Sequence, residues 1–184
     1  HLRGASLMSG YFGNADASRE VLSADGWLDT GDIGYQADGS LYITGRAKDL
    51  MIINGRNIWP QDLEHLAEQE PEVRPTDASA FSITDDEGGE SAVLVVQCRE
   101  ADPRKLASLA ERIQQAIHAE FGIHCVIELV PPHTLPRTSS GKLSRSTARK
   151  EFIERRGAEE PSESRGRFVG HPKRVPVEIE SAAS

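Results

Sequence analysis

Residues 26–55 read GWLDTGDIGYQADGSLYITGRAKDLMIING, a stretch dense in turn residues and in polar groups that no packing role explains. Within it two strand-like runs, 41–44 and 50–53, flank a polar connector holding Gly45, Arg46, Lys48 and Asp49. Strands rich in Ile, Leu and Tyr position such a loop, and the loop is where chemistry is carried. Upstream, Thr30-Gly31-Asp32 sets a carboxylate beside a glycine, where the backbone can bend tightly and a ligand can come close. An ionised Asp at that place can accept hydrogen bonds from two hydroxyls at once. The plainer expectation is that Asp32 caps a turn, as Asp beside Gly commonly does.

A second stretch, residues 135–145, reads LPRTSSGKLSR. It is expected to form a mobile, hydroxyl-rich loop hinged at Gly141 and ending in Lys142, ahead of a helix-like run. A lysine so placed can swing a compact positive charge toward phosphate or carboxylate oxygens. The loop lacks the first glycine of a phosphate-cradling P-loop, so its chemistry rests on the lysine rather than on a nest of backbone N–H groups.

Together the two stretches resemble the adenylate-forming superfamily, which includes acyl-CoA synthetases, luciferases and the adenylation domains of peptide synthetases. The matching pieces are GWLDTGD at 26–32, YITGRAKDLMIINGRN at 42–57 and PRTSSGKLSR at 136–145, three separated motifs in the family's order. Within the superfamily, GRNIWPQDLE at 55–64 is most similar to fatty acyl-AMP ligases, with Trp59 and Leu63 as conservative departures from their wording. The resemblance runs from about residue 6 to residue 155.

Length and composition bound what the chain can be. Its 184 residues suit one domain, or one domain with an appendage. A hydrophobic share of 38% and a mean hydropathy of -0.46 imply a modest core and a well-solvated surface. A net charge of -8, with no basic stripe to offset it, argues against sequence-independent nucleic-acid binding, which needs a phosphate-neutralising face. Two cysteines, Cys98 and Cys125, each in a strand-like run, suit reduced buried thiols and a cytoplasmic protein. There is no C-x-x-C pair and no histidine cluster to suggest metal ligation, and no apolar run long enough to span a bilayer.

Taken in order, the chain opens at His1 as though in the middle of something larger, and a fragment is expected. Tyr11 and Phe12 are expected in core or inter-strand packing. After Gly55 a short helix is expected, with Pro60 in its first turn, Leu63, Leu66 and Ala67 on one face, and Glu64 favouring the helix dipole without further chemistry. Strands follow at 78–83 and 92–98, joined by an acidic turn at 84–91. The continuous apolar run 93–96 implies burial on both faces. Asp102 and Pro103 start the clearest helix, with Leu106, Leu109, Ala110, Ile113, Ala116 and Ile117 on one stripe, ending before Gly122. A strand at 125–130 and a last helix at 144–155, burying Ala148, Phe152 and Ile153, complete an α+β fold in which helices cover a small mixed sheet. Residues 1–47 are expected to be the short, strand-rich end of an N-terminal adenylation domain, 48–157 to form a C-terminal lid, and 158–184 to be a linker or disordered tail.

The resemblance implies a reaction and roles. Adenylation joins a carboxylate to the α-phosphate of ATP with loss of pyrophosphate, so two anions must meet. By the family match, Lys142 is the catalytic lysine that offsets their repulsion, Asp32 holds the ribose hydroxyls with Arg46 assisting, and Lys48 is the hinge about which the lid turns between two half-reactions. The second half-reaction would pass the fatty acyl group to the phosphopantetheine thiol of an acyl carrier protein. ATP's triphosphate, Mg2+ and the acyl tunnel would belong to the N-terminal domain, so this chain alone is expected to be inactive. The alternatives are an acyl-CoA synthetase or another adenylation domain, and a non-catalytic module that docks a carrier protein.

Overall fold

The computed structural model describes residues 1–84 and 89–159, with side chains to residue 156. The chain divides into two compact units, His1–Leu50 and a second beginning at Met51.

The first unit is held by local chemistry. Helix α1, Ala15–Val21, is capped by Asn14, whose side chain accepts the Ala17 N–H at 3.0 Å, and it buries none of its residues. Strands β1, Asp32–Ala37, and β2, Ser40–Arg46, form an antiparallel hairpin with Ala37 opposite Ser40. The two residues between them, Asp38 and Gly39, have φ of 50° and 77°. Left-handed φ at both central positions is what a type I′ turn needs, and that turn's twist matches the strands it joins. Tyr35 and Tyr42 stack across the hairpin with ring centroids 5.2 Å apart. A short 3-10 turn over Ala47–Asp49 follows β2.

The second unit opens with another two-residue hairpin, β3 at Met51–Ile53 and β4 at Arg56–Ile58, whose turn residues Asn54 and Gly55 have φ of 50° and 75°. Helix α2, Pro60–Glu68, starts on its proline, where a missing N–H costs nothing. Strands β5, Ala78–Thr84, and β6, Glu90–Gln97, pair antiparallel. Helix α3, Pro103–Phe121, then crosses over to β7, Cys125–Val130, which runs parallel to β6. The result is a three-stranded mixed sheet with β6 in the centre.

Alternation along the strands divides the core in two. Ala78, Ala80, Ala92, Leu94, Val96, Cys125 and Ile127 pack with Leu63 and Ala67 of α2 and with Leu109, Ile113 and Ile117 of α3. Phe81, Val93 and Val95 pack instead with Leu135 and with Ala148 and Phe152 of helix α4, Arg145–Glu159. The run 93–96 is therefore apolar because β6 is covered on both sides. Asp102 caps α3 by accepting the Arg104 N–H at 2.9 Å, and Gly122 ends the helix with φ of 64°.

Several expectations need correction. Tyr11 and Phe12 are exposed, at 51% and 106%, since the first unit has no layer over them. Ile153 is 43% exposed, one position round the helix from the Phe152 that packs on Phe81. Asp32 does not cap the turn: Asp29 accepts the Gly31 N–H at 2.8 Å and the Thr30 hydroxyl accepts the Asp32 N–H at 3.2 Å, which leaves the Asp32 carboxylate available elsewhere. Helix α1 and strand β4 were not expected, and β1 lies in the segment expected to be strand-rich without having been placed there individually. Most of the acidic turn, 85–88, and the tail from 160 onward lie outside the described residues.

Candidate active site

The pairing of β1 with β2 sets Asp32 directly opposite Arg46. Arg46 Nε lies 3.1 Å from Asp32 Oδ1, so the guanidinium orients the carboxylate while its other oxygen remains free to accept. With side chains 29% and 55% exposed, the pair contributes about 0–1 kcal/mol to stability, and orientation is its larger effect. Lys48 stands exposed in the 3-10 turn two residues beyond Arg46, near the end of the first unit.

Lys142 belongs to the second unit, where the chain draws a closed hairpin rather than an open loop. Gly141 N–H donates to the Thr138 carbonyl at 2.9 Å, Thr138 N–H donates to the Lys142 carbonyl at 2.8 Å, and Ser144 N–H donates to the Pro136 carbonyl at 3.0 Å. Gly141, at φ of 80°, supplies the left-handed residue that lets such a turn close. The exposed Lys142 ammonium makes no hydrogen bond or ion pair among the described residues, so its charge is uncommitted.

Three side chains to which sequence reasoning gave no tertiary contact tie the second unit together, two of them, Glu64 and Arg137, at the lysine hairpin and the helix that follows it. Glu64 receives Arg145 in two-pronged fashion, Nε to Oε1 at 2.8 Å and Nη2 to Oε2 at 2.6 Å, and also accepts the Ala80 N–H at 2.9 Å. Fork-to-carboxylate geometry fixes direction as well as adding energy, so the start of α4 is tied to α2 and β5 just beyond the lysine. Arg56 donates to the carbonyl of Phe121, the last residue of α3, where a cation favours the helix dipole. Arg137 reaches back to Thr76 and forward to Gly141. Glu64 and Arg145 are 81 positions apart, and nothing local in either segment announces the pair.

Cys98 and Cys125 are free and buried, and burial raises the pKa of both thiols, so neither offers a nucleophile. Among the described residues no group of His, Cys, Asp and Glu is arranged to hold a metal ion, and no helix is long and apolar enough to cross a membrane.

Comparison with known proteins agrees with this architecture. Residues 55–150 match the family described as the AMP-binding enzyme C-terminal domain. A protein of Caulobacter vibrioides named as an acyl-CoA synthetase is 49% identical over 152 residues, covering 82% of this chain and 26% of the relative. The medium-chain-fatty-acid–[acyl-carrier-protein] ligase JamA of Moorena producens is 33% identical over 161 residues, covering 81% of this chain and 27% of its own length. A solved structure from a study of fatty acyl-adenylate ligases of E. coli and L. pneumophila superposes with a TM-score of 0.73 at 48% identity, covering 85% of this chain and 27% of that one. The chain thus spans about a quarter of the length of each of these three relatives. It belongs to the adenylate-forming ligase family, and its α+β unit is the C-terminal domain of an AMP-binding enzyme.

Proposed function

We propose that this chain is the C-terminal part of a fatty acyl-AMP ligase, which activates a fatty acid with ATP and passes the acyl group to the phosphopantetheine thiol of an acyl carrier protein. The observation that carries the reading is Lys142: an uncommitted ammonium presented by a closed hairpin whose neighbouring cations, Arg137 and Arg145, are both engaged. When the carboxylate oxygen attacks the α-phosphorus, negative charge builds on the phosphoryl oxygens as pyrophosphate departs. A preorganised lysine bridging both anions lowers that barrier more than it stabilises the separate reactants.

Asp32, turned by Arg46, accepts the two ribose hydroxyls and so fixes the nucleotide. Lys48 is the hinge that takes Lys142 out of the site once the adenylate has formed, admitting the carrier thiol. The triphosphate site, Mg2+ and the acyl pocket are assigned to an N-terminal domain, and the boundary to the connector at 47–48. The wording GRNIWPQDLE and the likeness to fatty acyl-adenylate ligases favour a carrier protein over free CoA as acceptor. The test is to supply the full-length enzyme with ATP and a fatty acid, then offer either holo-carrier protein or CoA. Acyl-carrier as the main product supports the reading; acyl-CoA as the main product makes the enzyme a CoA ligase.

A further inference from the structure

The lysine hairpin would be of little use if it drifted, and hydrogen bonds within it do not tie it to the sheet. Arg137 does. Its Nη1 donates to the carbonyl of Gly141, the residue immediately before Lys142, at 3.0 Å. Its Nη2 donates to the Thr76 carbonyl at 2.9 Å and lies 3.6 Å from Asp77 Oδ1. One planar fork therefore spans from the lysine's neighbour to the residues that lead into β5.

The anchor on the sheet side is itself constrained. Thr76 has a φ of 66°, a left-handed conformation that a β-branched residue adopts only under strain. Its N–H is held by Glu68 at 2.7 Å, and both its carbonyl and hydroxyl accept from Arg137. Asp77 continues the chain of contacts: its carboxylate accepts the side-chain amide of Gln97 at 2.7 Å, and the Gln97 oxygen accepts the Leu135 N–H at 2.8 Å, two residues before Arg137. Gln97 is 4% exposed. A buried amide satisfied on both sides keeps one geometry, because either alternative leaves a polar group unpaired.

We propose that Arg137 is a positioning residue for Lys142: with Thr76, Asp77 and Gln97 it locks the lysine hairpin to the edge of the sheet in the orientation that adenylation requires. This rests on the catalytic role proposed above for Lys142. Arg137 touches no substrate; it acts by fixing the backbone from which the lysine extends. A lysine at 137 keeps the charge but cannot hold Thr76 and Gly141 together, since only the guanidinium is a rigid fork.

The test compares Arg137→Ala, Arg137→Lys and Lys142→Ala in the full-length enzyme, measuring acyl-adenylate formation, transfer from preformed acyl-adenylate, and the thermal midpoint. Arg137→Ala is expected to slow adenylate formation by about tenfold to a hundredfold, the scale of a small misplacement of a reacting group, while leaving KM for ATP and the transfer step nearly unchanged. Arg137→Lys should recover little of that loss. Full recovery by lysine, wild-type adenylation in Arg137→Ala, or equal loss of both half-reactions would overturn the positioning role. If Lys142→Ala is impaired and Arg137→Ala is not, only the positioning role fails; if Lys142→Ala is itself unimpaired, the role of Lys142 fails and this inference with it.

Discussion

The hairpin β1–β2 and the sheet β5–β6–β7 are both antiparallel at their first pair, yet they are held by opposite means. In the hairpin, Ile33, Tyr35, Leu41, Tyr42 and Ile43 are all at least 39% exposed, and register rests on the Asp38-Gly39 turn and cross-strand pairs such as Asp32–Arg46. In the sheet, Val93, Leu94, Val95 and Val96 are at most 1% exposed, and register rests on two packed faces. The lesson is a division of labour. The ribose-binding and hinge residues proposed here sit on a locally determined element, whereas the proposed catalytic lysine is braced by a core that sequence-distant residues must build.

The sharpest way to exploit that contrast is functional. Lys48→Pro in the full-length enzyme fixes φ near -65° and removes a donor in the connector. Acyl-adenylate formation should largely persist and transfer to the carrier thiol should be lost, read by following the two half-reactions separately. Wild-type rates in both would move the hinge elsewhere.

Stability should divide along the same line. Ile113→Ala removes a fully buried side chain from between α3 and the sheet and should cost about 2–5 kcal/mol, read by denaturant unfolding. Ile43→Ala, at a position 61% exposed, should stay within about 0.5 kcal/mol. Comparable losses at both sites would erase the distinction.

A smaller effect probes the bracing itself. Glu64→Ala strands the Arg145 fork and the Ala80 N–H, which sets a scale of about 1.5–3 kcal/mol for charged hydrogen bonds. Side-chain exposures of 12% and 28% place the expected loss at the lower end of that range. Glu64→Gln should cost less, because the amide oxygen can still accept one of the donors. No difference from wild type in either variant would show that the Glu64–Arg145 pair does not hold α4, leaving its apolar face and the contacts of Arg149 with Ser82 and Arg155 with Glu128 to do so.

What the sequence made legible follows the same physics. Helix α3 could be read because cap, Pro103, apolar stripe and terminal Gly122 all lie within one segment, and β7 because Pro131 and Pro132 end its apolar run. The Asp38-Gly39 and Asn54-Gly55 pairs are equally local hairpin signals, and weighing them would have given β1 and β4. Tyr11, Phe12 and Ile153 were misplaced because apolar character does not say whether a layer exists to cover it. Lys142 stood out by motif. The residues that brace it, Glu64 through Arg145 and Arg137 through Thr76, did not, because such pairs exist only once α2, β5 and the hairpin have been brought together.

The central claim is that Lys142 serves the formation of the adenylate and not the transfer that follows. Its most direct test is single-turnover acyl-adenylate formation by the Lys142→Ala full-length enzyme, set beside acyl transfer from preformed acyl-adenylate. A fall of about a hundredfold or more in the first, the scale for losing one preorganised charge contact, with the second nearly intact is the predicted result. An adenylation rate equal to wild type, or equal losses in both steps, would contradict it.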